Sequence, residues 1–148
     1  MNVEMLRKVK KEILKAPARF NMDFFGDSLD WAIESQDEEK PSNVLGRPAC
    51  KTQACIAGEA CLVAGKAEFV PGGGLRTLES VGGFAETAQE ILGLGTAQAQ
   101  RLFYMKDSGA FGWPRRFEKE YIKARTPRAR VLVAARRIEH FIKTNGKE

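Results

Sequence analysis

Three cysteines, Cys50, Cys55 and Cys61, stand five and six residues apart. Structural zinc sites pair ligands at C-x2-4-C spacing and use four of them. The spacing here is looser, and the chain's single imidazole, His140, is remote in sequence. No metal and no cofactor is therefore expected. Cys55 falls near the third position of a helix expected over about 53–64 and capped by Thr52, where unpaired amide N–H groups lower a thiol pKa. A cysteine nucleophile also wants a base and an oxyanion hole. His140 is the one imidazole available, and nothing in the sequence places it beside Cys55. Buried thiols acting as small hydrophobes account for the same residues, Cys61 above all. A Cys50–Cys55 disulfide needs Cα atoms within ~7 Å. Two thiols in a reducing cytoplasm fit the odd cysteine count better.

Glu59 is the conspicuous carboxylate. Its neighbours on the 53–64 helix are almost all apolar, so it either looks out through a narrow window or is buried with a basic partner. A buried unpaired carboxyl shifts its pKa upward, which makes Glu59 a site candidate, although structural ion pairs leave the same signature. Asp23, Asp27 and Asp30 form no clear catalytic pair, and Asp27 serves better as a helix cap. Pro71-Gly72-Gly73-Gly74 lacks the Gly-Lys-Ser/Thr ending of a phosphate loop and reads as a turn.

The basic side chains are unevenly placed. Residues 1–100 carry a net charge of −3 and residues 101–148 one of +8. Arg115, Arg116, Lys119 and Lys123 share one expected helix with Trp113 and Tyr121 nearby. Arg128, Arg130, Arg136, Arg137 and Lys143 share the next. Such side chains suit phosphates or an acidic protein, although a solvated helix face is the commoner meaning of a charge run. Arg136 and Arg137 lie in part opposite Ile138, Phe141 and Ile142, and are expected to be removable without touching the core. The turn at 93–96 faintly suggests a helix-turn-helix, but Gln98, Gln100 and Arg101 give its second helix thin base-reading capacity.

The elements that must position these residues follow from periodicity. Val3, Leu6, Val9, Ile13 and Leu14 mark a helix that Pro17 ends. A short helix is expected from Asp27 or Ser28, carrying Leu29, Trp31, Ala32 and Ile33. A loop follows over 36–48. The 53–64 helix is apolar on nearly all sides, as a central buried helix is. Its stripe of Ala54, Ala57, Gly58, Cys61 and Ala64 is expected to face another helix at short range, and Gly65 stops it. A vestigial hairpin is expected near 66–78. Helices then run from about Phe84 to Leu92, from a Thr96 cap to about Met105, from Pro114 through Ile122, and from Pro127 to a stop at Asn145-Gly146.

Two blocks, Cys50-Lys51-Thr52-Gln53-Ala54-Cys55-Ile56-Ala57-Gly58 and the stretch from Ala88-Gln89-Glu90-Ile91-Leu92-Gly93-Leu94 to Gln98-Ala99-Gln100-Arg101-Leu102-Phe103, carry a resemblance. With Trp113-Pro114 and the Ile138 to Gly146 terminus, they resemble a small all-helical bacterial and phage family. Its core motif reads C-G-T-x-A-C-[IF]-A-G-W-A, followed by A-x-x-[IL]-L-G-L-x-x-x-Q-A-x-x-L-F. Lys51 stands where that motif has Gly, and Glu59 where it has Trp. The resemblance implies a helical fold and a cytoplasmic setting, and it brings no activity with it.

The chain has 148 residues, 43% hydrophobic and 29% charged, with a net charge of +5. That composition belongs to an ordinary folded domain and excludes a disordered chain. No apolar stretch reaches the ~18 residues of a membrane span, and the first fifteen residues lack the apolar core of a signal peptide. Expected, then, is an all-α single domain of six or seven helices around the 53–64 helix. The leading function is a non-catalytic binding or interaction protein of bacterial or phage type. One alternative is nucleic-acid binding through the basic C-terminal third. The other is a cysteine-dependent hydrolase or transferase.

Overall fold

The computed structural model describes residues 1–22, 54–69, 75–78, 83–105 and 112–148. The expected helix at 27–33, the 36–48 loop, Cys50, the Thr52 cap and the 71–74 turn lie outside the described residues.

Helix α1, Val3–Lys15, buries Leu6, Val9 and Ile13 on one side. The Asn2 side chain accepts the Met5 N–H at 3.0 Å and so satisfies one of the first-turn donors. Ala16 closes the helix, and Pro17–Arg19 forms a 3-10 turn. Phe20 then makes a parallel bridge to Ala54. The Asn21 N–H donates to the Ala54 carbonyl, and the Ala54 N–H to that of Arg19, at 3.1 and 2.9 Å.

That bridge fixes the start of α2, Ile56–Val63. The helix is shorter than expected, because Ala54 uses its N–H and C=O on the Arg19–Asn21 segment and cannot be helical. Every residue from Ile56 to Cys61 is buried, so α2 is the central helix that its apolar surface requires. Its small stripe meets a neighbour at the distance of minimal side chains. A Cβ on Gly58 would stand 3.0 Å from Leu75 Cδ2 and 3.1 Å from the Ala54 Cβ. The neighbour at Gly58 is therefore a hairpin strand and not the expected helix, whereas Cys61 does meet a helix start, at the Phe84 carbonyl. The strands are β1, Ala67–Phe69, and β2, Leu75–Thr77, antiparallel with Ala67 opposite Thr77.

Helix α3, Phe84–Ile91, packs against α2, and α4, Thr96–Phe103, follows it. Thr96 is the first helical residue and not the cap. Gly95 occupies the cap, and its N–H is taken by the Gln98 Oε1 at 3.0 Å. Helix α5, Arg115–Lys123, is preceded by Pro114 at its cap. Helix α6, Pro127–Lys143, packs on both α1 and α5. The Thr126 hydroxyl caps it by accepting the Ala129 N–H at 3.1 Å. At its end Asn145 and Gly146 take positive φ of 51° and 68°, and the Gly146 N–H returns to the Phe141 carbonyl at 2.8 Å.

The described part is thus mostly helical, with six α-helices and one small hairpin. Buried apolar side chains from all six helices join one core. Trp113, Phe117 and Tyr121, which alternate with basic residues in the sequence, all belong to it. The Trp113 indole donates to the Leu102 carbonyl at 2.8 Å, and the Tyr121 hydroxyl accepts the Met22 N–H at 3.0 Å. No helix among the described residues is long and apolar enough to cross a membrane.

Candidate functional site

Cys55 is the N-cap of α2, three positions earlier in the helix than expected, and makes no side-chain capping bond. It is fully buried. Burial pushes its thiol pKa up and outweighs the downward pull of the Gly58 and Ala57 amides, and the Glu59 charge adds to the rise. The expected activation is therefore reversed. Cys61 is also buried, its thiol lies 3.7 Å from the Phe84 carbonyl, and burial, with the neighbouring Cys55, pushes its pKa up to about 12. Both thiols are free.

His140 is placed elsewhere. Its ring faces Arg116 Nη2 at 2.9 and 3.2 Å, the Glu148 carboxylate at 3.0 Å and the Phe117 ring at 5.4 Å between centroids. The structure does not bring Cys55 and His140 together as partners. Among the described residues no three of His, Cys, Asp and Glu gather as a metal site.

Glu59 is 1% exposed and does have a basic partner. Arg19 Nε and Nη2 each donate to one of its carboxylate oxygens at 2.9 Å, a forked pair. Arg19 itself is half-buried and lies over the Phe69 ring at 5.5 Å. Burial pushes the Glu59 carboxyl upward, and the Arg19 hydrogen bonds and charge hold part of that rise back. Sequence reasoning left Arg19 unnamed. The two residues are 40 apart, and the Phe20–Ala54 bridge sets their segments side by side.

The basic residues divide into four groups. Arg115, Lys119, Lys123 and Arg128 are exposed and form no ion pair among the described residues. Arg116 and Arg136 are also exposed, but engaged, with His140 and with Glu120 respectively. Arg130 is half-buried; it donates to the Ala124 carbonyl at 3.3 Å and lies over the Tyr121 ring at 5.5 Å. Arg137 overturns its expectation: it is wholly buried and cannot be part of a docking face. Its helical neighbours one turn away, Val133 and Phe141, are core residues, and that spacing is the sequence signal that could have placed it inside.

A further contribution comes from α1. Lys10 pairs with Glu139 of α6. The Lys10 bond holds the Glu139 carboxyl below its ordinary value, helped by the charges of Lys10, Arg7 and Lys143 against a small opposing effect of burial. The basic surface of α6 thus continues onto the first helix. No family model, curated protein or solved structure matches the chain.

Proposed function

We propose that this chain is a non-catalytic binding protein that docks an acidic protein surface on the exposed faces of α5 and α6. One observation carries the reading. Arg115, Lys119, Lys123 and Arg128 project from these helices without carboxylate partners among the described residues, and exposed apolar Ile122 and Leu132 stand among them at 65% and 48% exposure. Cations beside apolar anchors suit a protein partner, whose interface mixes the two. Nucleic acid is the second reading, since the same cations suit phosphates. It is less favoured because the nearby aromatics, Trp113, Phe117 and Tyr121, are buried and leave no base-stacking surface on these helices. A Cys55 nucleophile is disfavoured by its burial and by the direction of its pKa. The resemblance to a bacterial and phage family, and a reducing cytoplasm for the free thiols, are consistent with this reading and add no activity.

The test is binding of poly-glutamate and of a random-sequence DNA duplex at low and physiological salt. Poly-glutamate should be retained and lost as salt rises, because exposed charges are screened. Lys119→Glu with Arg128→Glu should abolish retention, and Ile122→Ser should leave it nearly unchanged. Tighter retention of DNA than of poly-glutamate would move the assignment to nucleic acid. Retention of neither would remove the docking face.

A further inference from the structure

Two charged side chains are buried among the described residues, Glu59 and Arg137, and only Glu59 has a counter-ion in contact. Arg137 Nη2 donates to the Arg101 carbonyl at 2.8 Å. Its Nε and Nη1 have no hydrogen-bond partner among the described residues and no access to solvent. Unbonded buried donors of this kind call for an explanation, and a bound water or ion is one.

The surroundings narrow the ligand. Arg137 lies 5.9 Å from the Phe117 ring centre and 5.3 Å from that of Phe141. Arg116 lies over the same Phe117 ring at 5.0 Å, and the His140 ring faces it too. Arg101, whose carbonyl holds Arg137, donates through Nη1 to the Gly146 carbonyl at 3.2 Å. Three guanidiniums therefore gather here. Burial and the charges of Arg116 and Arg101 pull the Arg137 pKa down to about 10, with Glu148 opposing. At neutral pH it remains charged. Among the described residues Glu148 is the one carboxylate whose charge favours it there, and it is held by His140.

Among the described residues three cations meet one carboxylate here, so the local field favours an anion. A single carboxylate or a chain-internal phosphodiester brings only one negative charge, and a buried floor admits an end group more readily than the middle of a polymer. Guanidinium forks suit phosphate oxygens. We infer that Arg137 is the floor of a site for a phosphate monoester dianion, rimmed by Arg101 and Arg116 and covered by residues 145–148. The cover is tied by Gln98 Nε2 to the Asn145 carbonyl at 2.9 Å, by Arg101 to Gly146 and by Glu148 to His140. Because Arg137 has no exposed surface, the anion enters by displacing this segment, and Glu148 competes with it for the same field.

Calorimetric titration of the full chain with inorganic phosphate, at ionic strength matched by chloride, tests the site. Wild type should bind one phosphate per chain. Arg116→Ala should weaken binding roughly tenfold, the loss of one charge-assisted contact. Arg137→Met should abolish it, and Glu148→Gln should tighten it. Methyl phosphate should bind and dimethyl phosphate, a monoanion, should not. Absence of saturable binding, or binding unchanged in Arg116→Ala, overturns the assignment even if the Arg137 variant fails to fold. Equal binding of dimethyl phosphate overturns the dianion. The inference is independent of the docking face, since poly-glutamate binding can fail while phosphate binding persists.

Discussion

Glu59 and Arg137 are both taken out of water, yet the fold treats them in opposite ways. Around Glu59 the chain closes a complete pair, with a forked guanidinium, two bonds of 2.9 Å and a ring beneath the cation. Around Arg137 it gathers like charges and leaves Nε and Nη1 unbonded. A buried ion with all its partners in place is a finished structural joint. A buried ion without them is a cost kept in the folded state, and such costs persist where a ligand removes them. The difference separates a region that holds the N-terminal segment against α2 from one that the proposed phosphate would complete.

The largest expected effect breaks the finished joint. Arg19→Met strands the Glu59 carboxylate, and removing one partner of a buried pair costs about 3–5 kcal/mol. The low end, about 3 kcal/mol, is expected, because Arg19 is 32% exposed and its charge is already partly solvated. Glu59→Gln should cost less, since the residual Arg19 can turn to water. Urea denaturation of the two variants at neutral pH gives the order; a larger loss for Glu59→Gln would mean that Arg19 carries the buried charge.

The same comparison predicts the opposite sign at the other end. Arg137→Met replaces a partly unbonded buried cation by an apolar chain of similar reach, a change that ranges from neutral to about 4 kcal/mol stabilising. Thermal unfolding without phosphate should show a melting temperature at or above wild type. Saturating phosphate should then raise wild type alone, because a ligand bound only to the folded state stabilises it by mass action. A large loss of stability without phosphate would show that Arg137 is structurally paired after all.

Packing in α2 supplies a control that involves no charge. Gly58→Leu pushes side-chain atoms into Leu75 and Ala54, already 3.0 and 3.1 Å from an ideal Cβ. The overpacking should cost about 1–3 kcal/mol, and the cost should not change with pH. The Arg19→Met loss should change. Burial raises the folded-state pKa of Glu59 above its ordinary 4.5, so the folded state holds more protons there than the unfolded one, and Glu59's contribution falls as pH rises through that window. Without Arg19 the carboxyl rises further and the window widens upward. The Arg19→Met loss should therefore be smallest near pH 4.5 and grow toward neutrality. Denaturation curves for both variants across that range check it, and parallel pH profiles would reject the charge explanation.

Much of the fold was legible because it is local. The Leu6, Val9, Ile13 stripe, the Thr126–Pro127 start and the Asn145–Gly146 stop of α6, and the hairpin all follow from nearby residues. The start of α2 was not, because Ala54 spends its backbone on Arg19 and Asn21, and no local pattern reports that bridge. The site was less legible for the same reason. Glu59 stood out as a carboxylate on an apolar helix, either buried with a basic partner or facing a narrow window, but its partner lies 40 residues away. Four arginines on α5 and α6, Arg115, Arg116, Arg128 and Arg136, are exposed as a docking surface requires. Arg137 was grouped with them by residue type, although Val133 and Phe141 flank it on the helix and the core claims all three.

The smallest expected effect is the sharpest contrast, since it concerns the adjacent residue. Arg136 is 61% exposed in its side chain and pairs with Glu120, itself 45% exposed. A pair so wet contributes about 0–1 kcal/mol, screened further by salt. Arg136→Ala should leave the melting temperature within a degree or so of wild type, the scale of a few tenths of a kcal/mol. It should leave phosphate binding unchanged, because its partner is Glu120 and not Arg137. It should weaken poly-glutamate retention, because removing the cation also leaves Glu120 as an unneutralised negative charge on the docking face. If Arg136→Ala instead removes phosphate binding, the two arginines act on one surface, and the separation between a buried anion floor and an exposed docking face collapses.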